Sequence, residues 1–292
     1  MRRRRWWRNW NSAPACAICT GPPTWRTCSS SSPGGICVIE GLTAWFPVWR
    51  RNFLVWKKLA APSLLGNLAD PMLYMLGLGY GLGGLLPAVE GVPYLNFLAA
   101  GTLAYSVMNS ATFETLYSAF SRMHVQKTWE AILNTPLTLK DVMLGELFWA
   151  TSKSLLSGIA ILLVVWALGL YGDFALTLAL LPVALLTGFC FAGLGLAVNA
   201  VSPNYDFFLY YFTLAITPMI LLGGVFYPPS ALPVWLAAVA AWLPLTHAIE
   251  LARPLVLGSI PDSALLHALA LLGYGMAGFS LALRLTRRRL LK

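Results

Sequence analysis

Residues 174–205 read FALTLALLPVALLTGFCFAGLGLAVNAVSPNY and contain no charged side chain. A helix needs about 20 largely apolar residues to cross the hydrocarbon core of a bilayer, so this stretch is long enough to span a membrane. The whole chain has the same character, because 58% of its 292 residues are hydrophobic and only 11% are charged. A soluble domain carries about 25% charged residues, and a disordered chain is poor in aromatic residues. The composition, with 13% aromatic residues, excludes both classes and indicates an integral membrane protein.

Long windows without charge recur on both sides of this stretch. The longest, residues 207–249, is interrupted by a series of prolines, so we divide it into one full span and a shallow, proline-rich segment at 227–258. The sequence therefore predicts an all-α membrane protein with six transmembrane helices, at 62–86, 94–121, 143–170, 174–201, 207–226 and 263–283.

The formal net charge of +9 is unevenly distributed along the chain. Basic residues cluster before the first predicted span and after the last one, and the connection between the second and third spans adds Arg122, Lys127 and Lys140. The short connections on the opposite side hold Glu90 and Asp173. Because cytoplasmic loops are enriched in Lys and Arg, six spans with both termini in the cytoplasm fit this pattern. A nucleic-acid-binding protein would instead spread its basic residues over one face.

An amphipathic segment, residues 42–59, precedes the first span. On a helix its large apolar residues fall within an arc of about 100°, and its basic residues occupy the opposite face. Such a helix lies in the membrane interface, with its rings buried and its cations against lipid head groups; a soluble helix packed on a partner is the alternative. The apolar arc consists of Leu42, Trp45, Phe46, Trp49, Phe53 and Trp56, and the basic face consists of Arg50, Arg51, Lys57 and Lys58.

Residues 1–41 show no helical period and are rich in Arg, Trp, Pro and Ser. This composition predicts a basic, disordered cytoplasmic extension. Four of the five cysteines lie here, but one Cys-x-x-Cys pair with two scattered cysteines is a weak signal for zinc. The chain is thus divided into the extension (1–41), an amphipathic interfacial helix (42–59) and a transmembrane domain (60–292).

Motifs of membrane enzymes and of nucleotide-binding sites are absent from the sequence. There is no His-Glu-x-x-His, no Gly-x-Ser-x-Gly and no Gly-Lys pair of a Walker A loop. The three histidines are widely separated. We therefore predict no catalytic site, no metal site and no cofactor in this chain, and ATP hydrolysis by a Walker A site would require another subunit.

Charged residues inside predicted spans mark either function or the positioning of helices. For Glu114 an ion relay and a positioning role are equally favoured, whereas Glu146 and Lys153 lie near a span end, which favours positioning. Asp70 precedes Pro71 and is expected to satisfy backbone groups freed by a kink. An ion-coupled secondary transporter that uses Asp70, Glu114 and Asp206 is the alternative function that these acids leave open.

The connection between the second and third spans predicts a short helix over 122–134, with Val125, Trp129, Ile132 and Leu133 on one side. Thr138 and Asp141 then have the spacing of a capping box that opens the third span. A cytoplasmic helix that continues into a span is a mechanical lever, and an ordinary loop helix is the alternative.

Several motifs in order resemble the ABC-2 type permeases, and within them the nodulation protein J (NodJ) group of lipo-oligosaccharide exporters. The similarity extends from about Leu42 to the C-terminus. The motifs are Thr112–Met123 (TFETLYSAFSRM), Thr128–Leu133 (TWEAIL), Leu144–Ala150 (LGELFWA), Ser202–Phe208 (SPNYDFF), Leu222–Pro228 (LGGVFYP) and Leu243–Pro254 (LPLTHAIELARP).

The resemblance implies a permease subunit in a bacterial inner membrane that forms a homodimer and assembles with a separate ATPase of the nodulation protein I (NodI) type, which holds the ATP and Mg. The cargo it implies is a lipo-oligosaccharide or a related amphiphilic glycan. It also implies that residues 122–133 form the helix that docks on the ATPase, and that residues 227–258 form re-entrant helices near the outer exit. The docking residues would be Arg122, Val125, Lys127, Trp129, Glu130 and Leu133.

Aromatic and acidic residues of the spans are candidates for the translocation path, because rings stack on sugars or contact an acyl chain. For any single ring, a lipid-facing core position is the favoured alternative. The candidates are Asp70, Tyr105, Phe113, Glu114, Tyr117, Tyr210, Tyr211 and Phe226.

Overall fold

The protein is described here from a computed structural model that covers residues 43–85, 88–89 and 91–290. The predictions for residues 1–41, Leu42 and Glu90 lie outside these ranges. Outside its turns and loops, the described chain is helical except for one two-stranded hairpin, in agreement with the predicted all-α class.

Twelve α-helices and two short strands follow one another in the described ranges. They are α1 (Phe46–Lys57), α2 (Ala60–Gly83), β1 (Ala88–Val89), β2 (Val92–Pro93), α3 (Tyr94–Phe113), α4 (Thr128–Leu133), α5 (Leu139–Ala167), α6 (Phe174–Leu178), α7 (Leu180–Val201), α8 (Asp206–Tyr211), α9 (Thr217–Leu222), α10 (Val234–Ala240), α11 (Pro244–Leu257) and α12 (Ala264–Leu290). Three π-helical turns, at Glu114–Ser118, Ser121–Val125 and Phe212–Ile216, and a 3₁₀ turn at Pro229–Ala231 complete the described helical structure.

Three helices are long and apolar enough to cross a bilayer: Leu139–Ala167, Phe174–Val201 and Ala264–Arg289. They coincide with the third, fourth and sixth predicted spans. The first and second predicted spans form α2 and α3, which are long but carry many Gly, Ser, Thr and Asn residues. The fifth corresponds to Asp206–Leu222, which is apolar but shorter than a full span. The protein is therefore a multi-pass membrane protein with at least three spans.

The proline-rich segment contains α10 and α11, which meet at an angle of 88°. Such a bent pair forms either a broken span or a re-entrant loop. Pro244 occupies the first turn of α11, where a missing backbone N–H disrupts no hydrogen bond, and thereby marks the bend. The hairpin of β1 and β2, which the sequence did not predict, pairs Val89 with Val92 around Gly91 at φ 80°.

The buried core is centred on α3, which packs against α2, α5, α7 and α11. The helices α7 and α12 approach each other closely at glycines. A Cβ added at Gly278 would stand 2.8 Å from the carbonyl carbon of Gly193. Close backbone approach of this kind is typical of helices in a membrane, because the hydrophobic effect does not drive helices together in lipid.

Candidate functional site

A buried cluster of charged residues joins three segments at the end of α3. Glu114 lies in the first π-helical turn after α3, and Arg122 lies in the second. Glu146 and Lys153 come from α5, where seven residues, or about two turns, place them on one face. The two carboxylates are only 3% and 1% exposed. This burial requires both charges to be paired.

Arg122 pairs with both carboxylates. Its Nε and Nη2 atoms donate to the two oxygens of Glu146 at 2.9 and 2.5 Å, and Nη2 also donates to Glu114 Oε1 at 2.9 Å. Lys153 Nζ donates to Glu114 Oε2 at 2.7 Å. Lys153 therefore pairs with Glu114, which is 39 residues away, and not with Glu146 on its own helix. Two cations facing two acids leave the cluster neutral, which fits a positioning role better than an ion relay.

Two indoles complete the hydrogen bonds of the carboxylates. Trp149 Nε1 of α5 donates to Glu114 Oε1 at 2.7 Å, and Trp129 Nε1 of α4 donates to Glu146 Oε1 at 3.2 Å. Trp129 is 3% exposed. Trp129 of α4 thereby reaches into the cluster, so a displacement of α4 acts directly on Glu146 of α5.

The short helix predicted over 122–134 is broken in two. Residues 121–125 continue α3 as a π-helical turn, and α4 begins only at Thr128, because Lys127 adopts a left-handed conformation with φ 51°. The break changes the faces of the segment. Val125, expected beside Trp129, is 64% exposed, whereas Trp129 is buried.

The exposed side of this segment is accessible to a partner. Val125, Lys127 and Glu130 are exposed, and Leu133 is half-buried against the core. Of the predicted docking residues, the structure thus places Arg122 and Trp129 in the charged cluster and leaves the other four at or near the surface.

The amphipathic helix α1 packs on α5. Trp45 lies 4.5 Å from Phe148 between ring centroids, Trp56 lies 5.8 Å from Trp149, and Phe53 also contacts Trp149. Trp49 Nε1 donates to Ser152 Oγ at 3.1 Å. The rings are half-buried against the protein itself, and the sequence had placed them in lipid.

The basic face of α1 is divided. Arg50, Lys57 and Lys58 are exposed as predicted. Arg51 instead turns inward, where its Nη1 donates to Asn52 Oδ1 at 3.1 Å and its Nη2 donates to Thr128 Oγ1 at 3.3 Å. Arg51 therefore links α1 to α4.

A second feature is a cavity of about 440 Å³ between α2, α3 and the α8–α9 region. Four predicted path residues line it, namely Asp70, Tyr105, Phe113 and Phe226. The Tyr105 hydroxyl donates to Asp70 Oδ2 at 2.5 Å, so Asp70 is satisfied by this side chain rather than by backbone freed at Pro71. The cavity is also lined by Tyr74, Asn109 and Phe212, which no sequence pattern singled out.

The remaining predicted path residues lie elsewhere. Tyr117 stacks on Phe113 with 5.2 Å between ring centroids, so it adjoins the cavity. Glu114 belongs to the charged cluster. Tyr210 is 63% exposed, and Tyr211 is half-buried against the core. Four of the eight predicted residues thus line one cavity, and Tyr117 adjoins it.

Comparison with known proteins identifies the family. Residues 43–257 match the family model described as ABC-2 type transporter. Nodulation protein J of Bradyrhizobium diazoefficiens is 50% identical over 248 residues, which cover 85% of this chain and 94% of that protein. Nodulation protein J of Rhizobium leguminosarum bv. viciae is 49% identical over 248 residues, covering 85% and 95%.

A more distant relative widens the comparison beyond nodulation proteins. The inner membrane transport permease YadH of Escherichia coli is 23% identical over 208 residues, which cover 70% of this chain and 78% of that protein. The charged cluster, the cavity and the packed helices all lie within the matched residues 43–257, apart from α12. The chain belongs to the ABC-2 type transporter family, and it is an ABC-2 permease close to nodulation protein J.

Proposed function

We propose that this chain is the permease subunit of an ABC exporter that moves a lipo-oligosaccharide, or a related amphiphilic glycan, outward across the bacterial inner membrane. ATP and Mg bind to a separate ATPase subunit of the NodI type. The observation that carries the proposal is the two-sided arrangement of α4. One side is exposed for a partner, and the other reaches Glu146 through Trp129.

Energy transfer in this proposal follows from the contacts of α4. An ATPase that pushes on Val125, Lys127 and Glu130 displaces α4 as a short rigid unit. The hydrogen bond from Trp129 to Glu146 then transmits the displacement to α5, and the ion pairs of Arg122 transmit it to α3. Because α3 lines the cavity through Tyr105 and Phe113, the motion reaches the cavity wall.

The proposed cargo suits the lining of the cavity. Tyr74, Tyr105, Phe113, Phe212 and Phe226 offer ring faces for sugars or an acyl chain. Asp70 and Asn109 offer polar groups for hydroxyls or amides. The resemblance to the nodulation protein J group, which implies a lipo-oligosaccharide cargo, supports the same cargo class.

The proposed assembly is a homodimer of six-span permease subunits with both termini in the cytoplasm. The three shorter or more polar helices, α2, α3 and Asp206–Leu222, serve as the first, second and fifth spans. The bent pair α10 and α11 forms the re-entrant loop near the outer exit, and α1 lies at the cytoplasmic membrane surface. Dimerisation shields the polar side chains of the first and fifth spans from lipid.

Reconstitution into proteoliposomes tests the proposal against the ion-coupled alternative. We expect glycan translocation to require the partner ATPase and hydrolysable ATP, and to be unchanged when an ionophore removes the proton and sodium gradients. Translocation by the permease alone, driven by such a gradient, would contradict the proposal. Replacement of Asp206, which does not line the cavity, by Asn distinguishes the two further, because only a gradient-driven carrier would lose a coupling carboxylate.

A further inference from the structure

A small pocket of about 240 Å³ lies between α1, the start of α2 and the charged cluster. Its polar lining includes Arg51, Asn52, Arg122, Lys153 and Glu114. Its apolar lining comes from Val55 and Trp56 of α1, from Leu59 just after this helix, and from Trp149 of α5. The pocket is separate from the aromatic cavity, and the proposed transport mechanism does not use it.

The cations of this pocket outnumber the acids that pair with them. Arg122 and Lys153 are paired with Glu114 and Glu146. Arg51 forms no ion pair with any residue in the described ranges, and its two hydrogen bonds go to neutral acceptors on Asn52 and Thr128. Among the described residues, the pocket therefore retains one positive charge without an ion-pair partner.

Asn52 provides a second, independent sign of a missing ligand. Its side chain lines the pocket and is 3% exposed. Its Oδ1 accepts from Arg51, but its Nδ2 has no hydrogen-bond partner within the part of the chain that the structure describes. A buried donor without a partner costs free energy, so an acceptor at this point would stabilise the protein.

The electrostatics agree with an anionic occupant. Burial, and next the charge of Arg122, lower the pKa of Arg51 from its ordinary value, and Glu146 offsets them only in part. The Arg122 part of this shift is a charge repulsion, added to the larger effect of burial. A bound anion would relieve that repulsion.

The surroundings of the pocket favour a lipid as the source of the anion. Val55 and Leu59 are 56% and 64% exposed beside the pocket, so apolar surface adjoins its cationic centre. A phospholipid matches both parts, with phosphate against Arg51 and Asn52 and acyl chains along Val55 and Leu59. The cytoplasmic leaflet supplies anionic lipids at the surface where α1 is proposed to lie.

We propose that this pocket, formed by Arg51, Asn52 and the α1–α2 junction, binds the phosphate group of an anionic phospholipid from the cytoplasmic leaflet. The bound lipid ties α1 to α4 through Arg51 and holds the charged cluster in place. The proposal requires α1 to lie at the membrane surface, but it requires no particular cargo.

Native mass spectrometry of the purified full-length chain tests this site directly. The protein is titrated with phosphatidylglycerol, with phosphatidylcholine and, in a third arm, with inorganic phosphate. We expect phosphatidylglycerol to bind more tightly than phosphatidylcholine or inorganic phosphate. Its affinity should fall roughly tenfold or more in Arg51→Gln, which corresponds to the loss of one charge-assisted hydrogen bond. Arg50→Gln is the matched control, because it removes the same charge from an exposed neighbour on the same helix.

Folding is controlled by a second pair of variants. Arg51→Lys keeps the charge and is expected to retain most of the binding, whereas Asn52→Asp places a negative charge in the pocket and is expected to expel the lipid. Thermal unfolding without added lipid shows whether each variant is folded. Retention of binding by a folded Asn52→Asp variant would contradict the proposal even if Arg51→Gln failed to fold.

Three results would overturn the assignment. Equal loss in Arg50→Gln and Arg51→Gln would mean that the lipid is held by general surface charge. Displacement of the lipid by millimolar inorganic phosphate would make a small anion the occupant. If Arg51→Gln lost ATPase binding while its lipid binding was unchanged, the pocket would be a binding site for the partner protein. None of these measurements involves glycan transport. The lipid proposal can therefore fail without contradicting the proposed function, and the reverse also holds.

Discussion

At the scale of single residues, the chain is organised by charges that meet across long sequence distances. Thr138 and Asp141, three positions apart, were expected to cap α5, and the structure confirms the reciprocal capping box. Local spacing is sufficient for such a prediction. The pairing of Lys153 with Glu114 depends instead on how α3 packs against α5, and no local pattern predicts it.

Arg122 is the residue on which the charged cluster depends most. Replacing Arg122 by Met leaves Glu146 with the hydrogen bond from Trp129 and with no cation in contact. We expect a loss of about 3–5 kcal/mol in the free energy of unfolding, because removing one partner leaves a buried charge uncompensated. The measurement is thermal or denaturant unfolding in detergent.

Two further variants make this prediction specific. Arg284→Gln, at an exposed position of α12, is the control and should change stability little. Combining Arg122→Met with Glu146→Gln should restore part of the loss, because the unpaired charge is removed. A single Arg122→Met variant as stable as the control would show that the cluster contributes nothing to folding.

At the scale of elements, hydrophobic windows predicted helices well but their junctions poorly. The windows at 143–170, 174–201 and 263–283 coincide with helices long enough to span a membrane. The π-helical turns and the left-handed Lys127 were not predicted, because they arise where packing forces an extra residue into a turn or reverses the chain. The burial of the α1 rings against α5 was also missed, since amphipathicity does not distinguish lipid from a neighbouring helix.

The glycine contacts between α7 and α12 are testable at this scale. We expect Gly193→Ala to cost about 1–3 kcal/mol, because the added methyl group meets the backbone of Gly275, which cannot move without separating the helices. Gly273→Ala in α12 is the matched control. A Cβ there meets nothing within 4 Å, so this change should be neutral or slightly stabilising through helix propensity. Unfolding of both variants in detergent decides the matter, and equal stabilities would contradict the packing described.

At the scale of the whole molecule, the order of the motifs was sufficient to recognise the family. It was not sufficient to predict which residues transmit motion and which contact the cargo. The motif TWEAIL places Trp129 and Glu130 side by side in the sequence. In the structure Trp129 is buried and bonded to Glu146, whereas Glu130 is exposed. Two residues with one expected role therefore have two different roles in the proposed transporter.

These two roles lead to opposite phenotypes in the reconstituted exporter. Trp129→Phe keeps an aromatic ring but removes the N–H that donates to Glu146. We therefore expect ATPase binding and ATP hydrolysis to persist while export falls about tenfold. Glu130→Lys alters only the exposed side, so we expect weaker ATPase binding with normal export per bound ATPase. Assays of binding, hydrolysis and export on the same preparations compare them. Identical effects of both changes on all three assays would contradict the two-sided description of α4.

The π-helical turns after α3 have a consequence for how the two ends of this helix are related. Each such turn holds one residue more than an α-turn, so it rotates every later side chain by about 100° around the helix axis. The angle between Tyr105 in the cavity and Arg122 in the charged cluster is thereby set by residue number and not by residue type. Deleting one residue of α3 between Tyr105 and Phe113 would swing Arg122 away from Glu146 by this angle, unless the turn Glu114–Ser118 gave up its extra residue and became an α-turn. Insertions and deletions, more than substitutions, are thus the changes that would rotate the cavity-lining end of this helix relative to the end that carries the charged cluster.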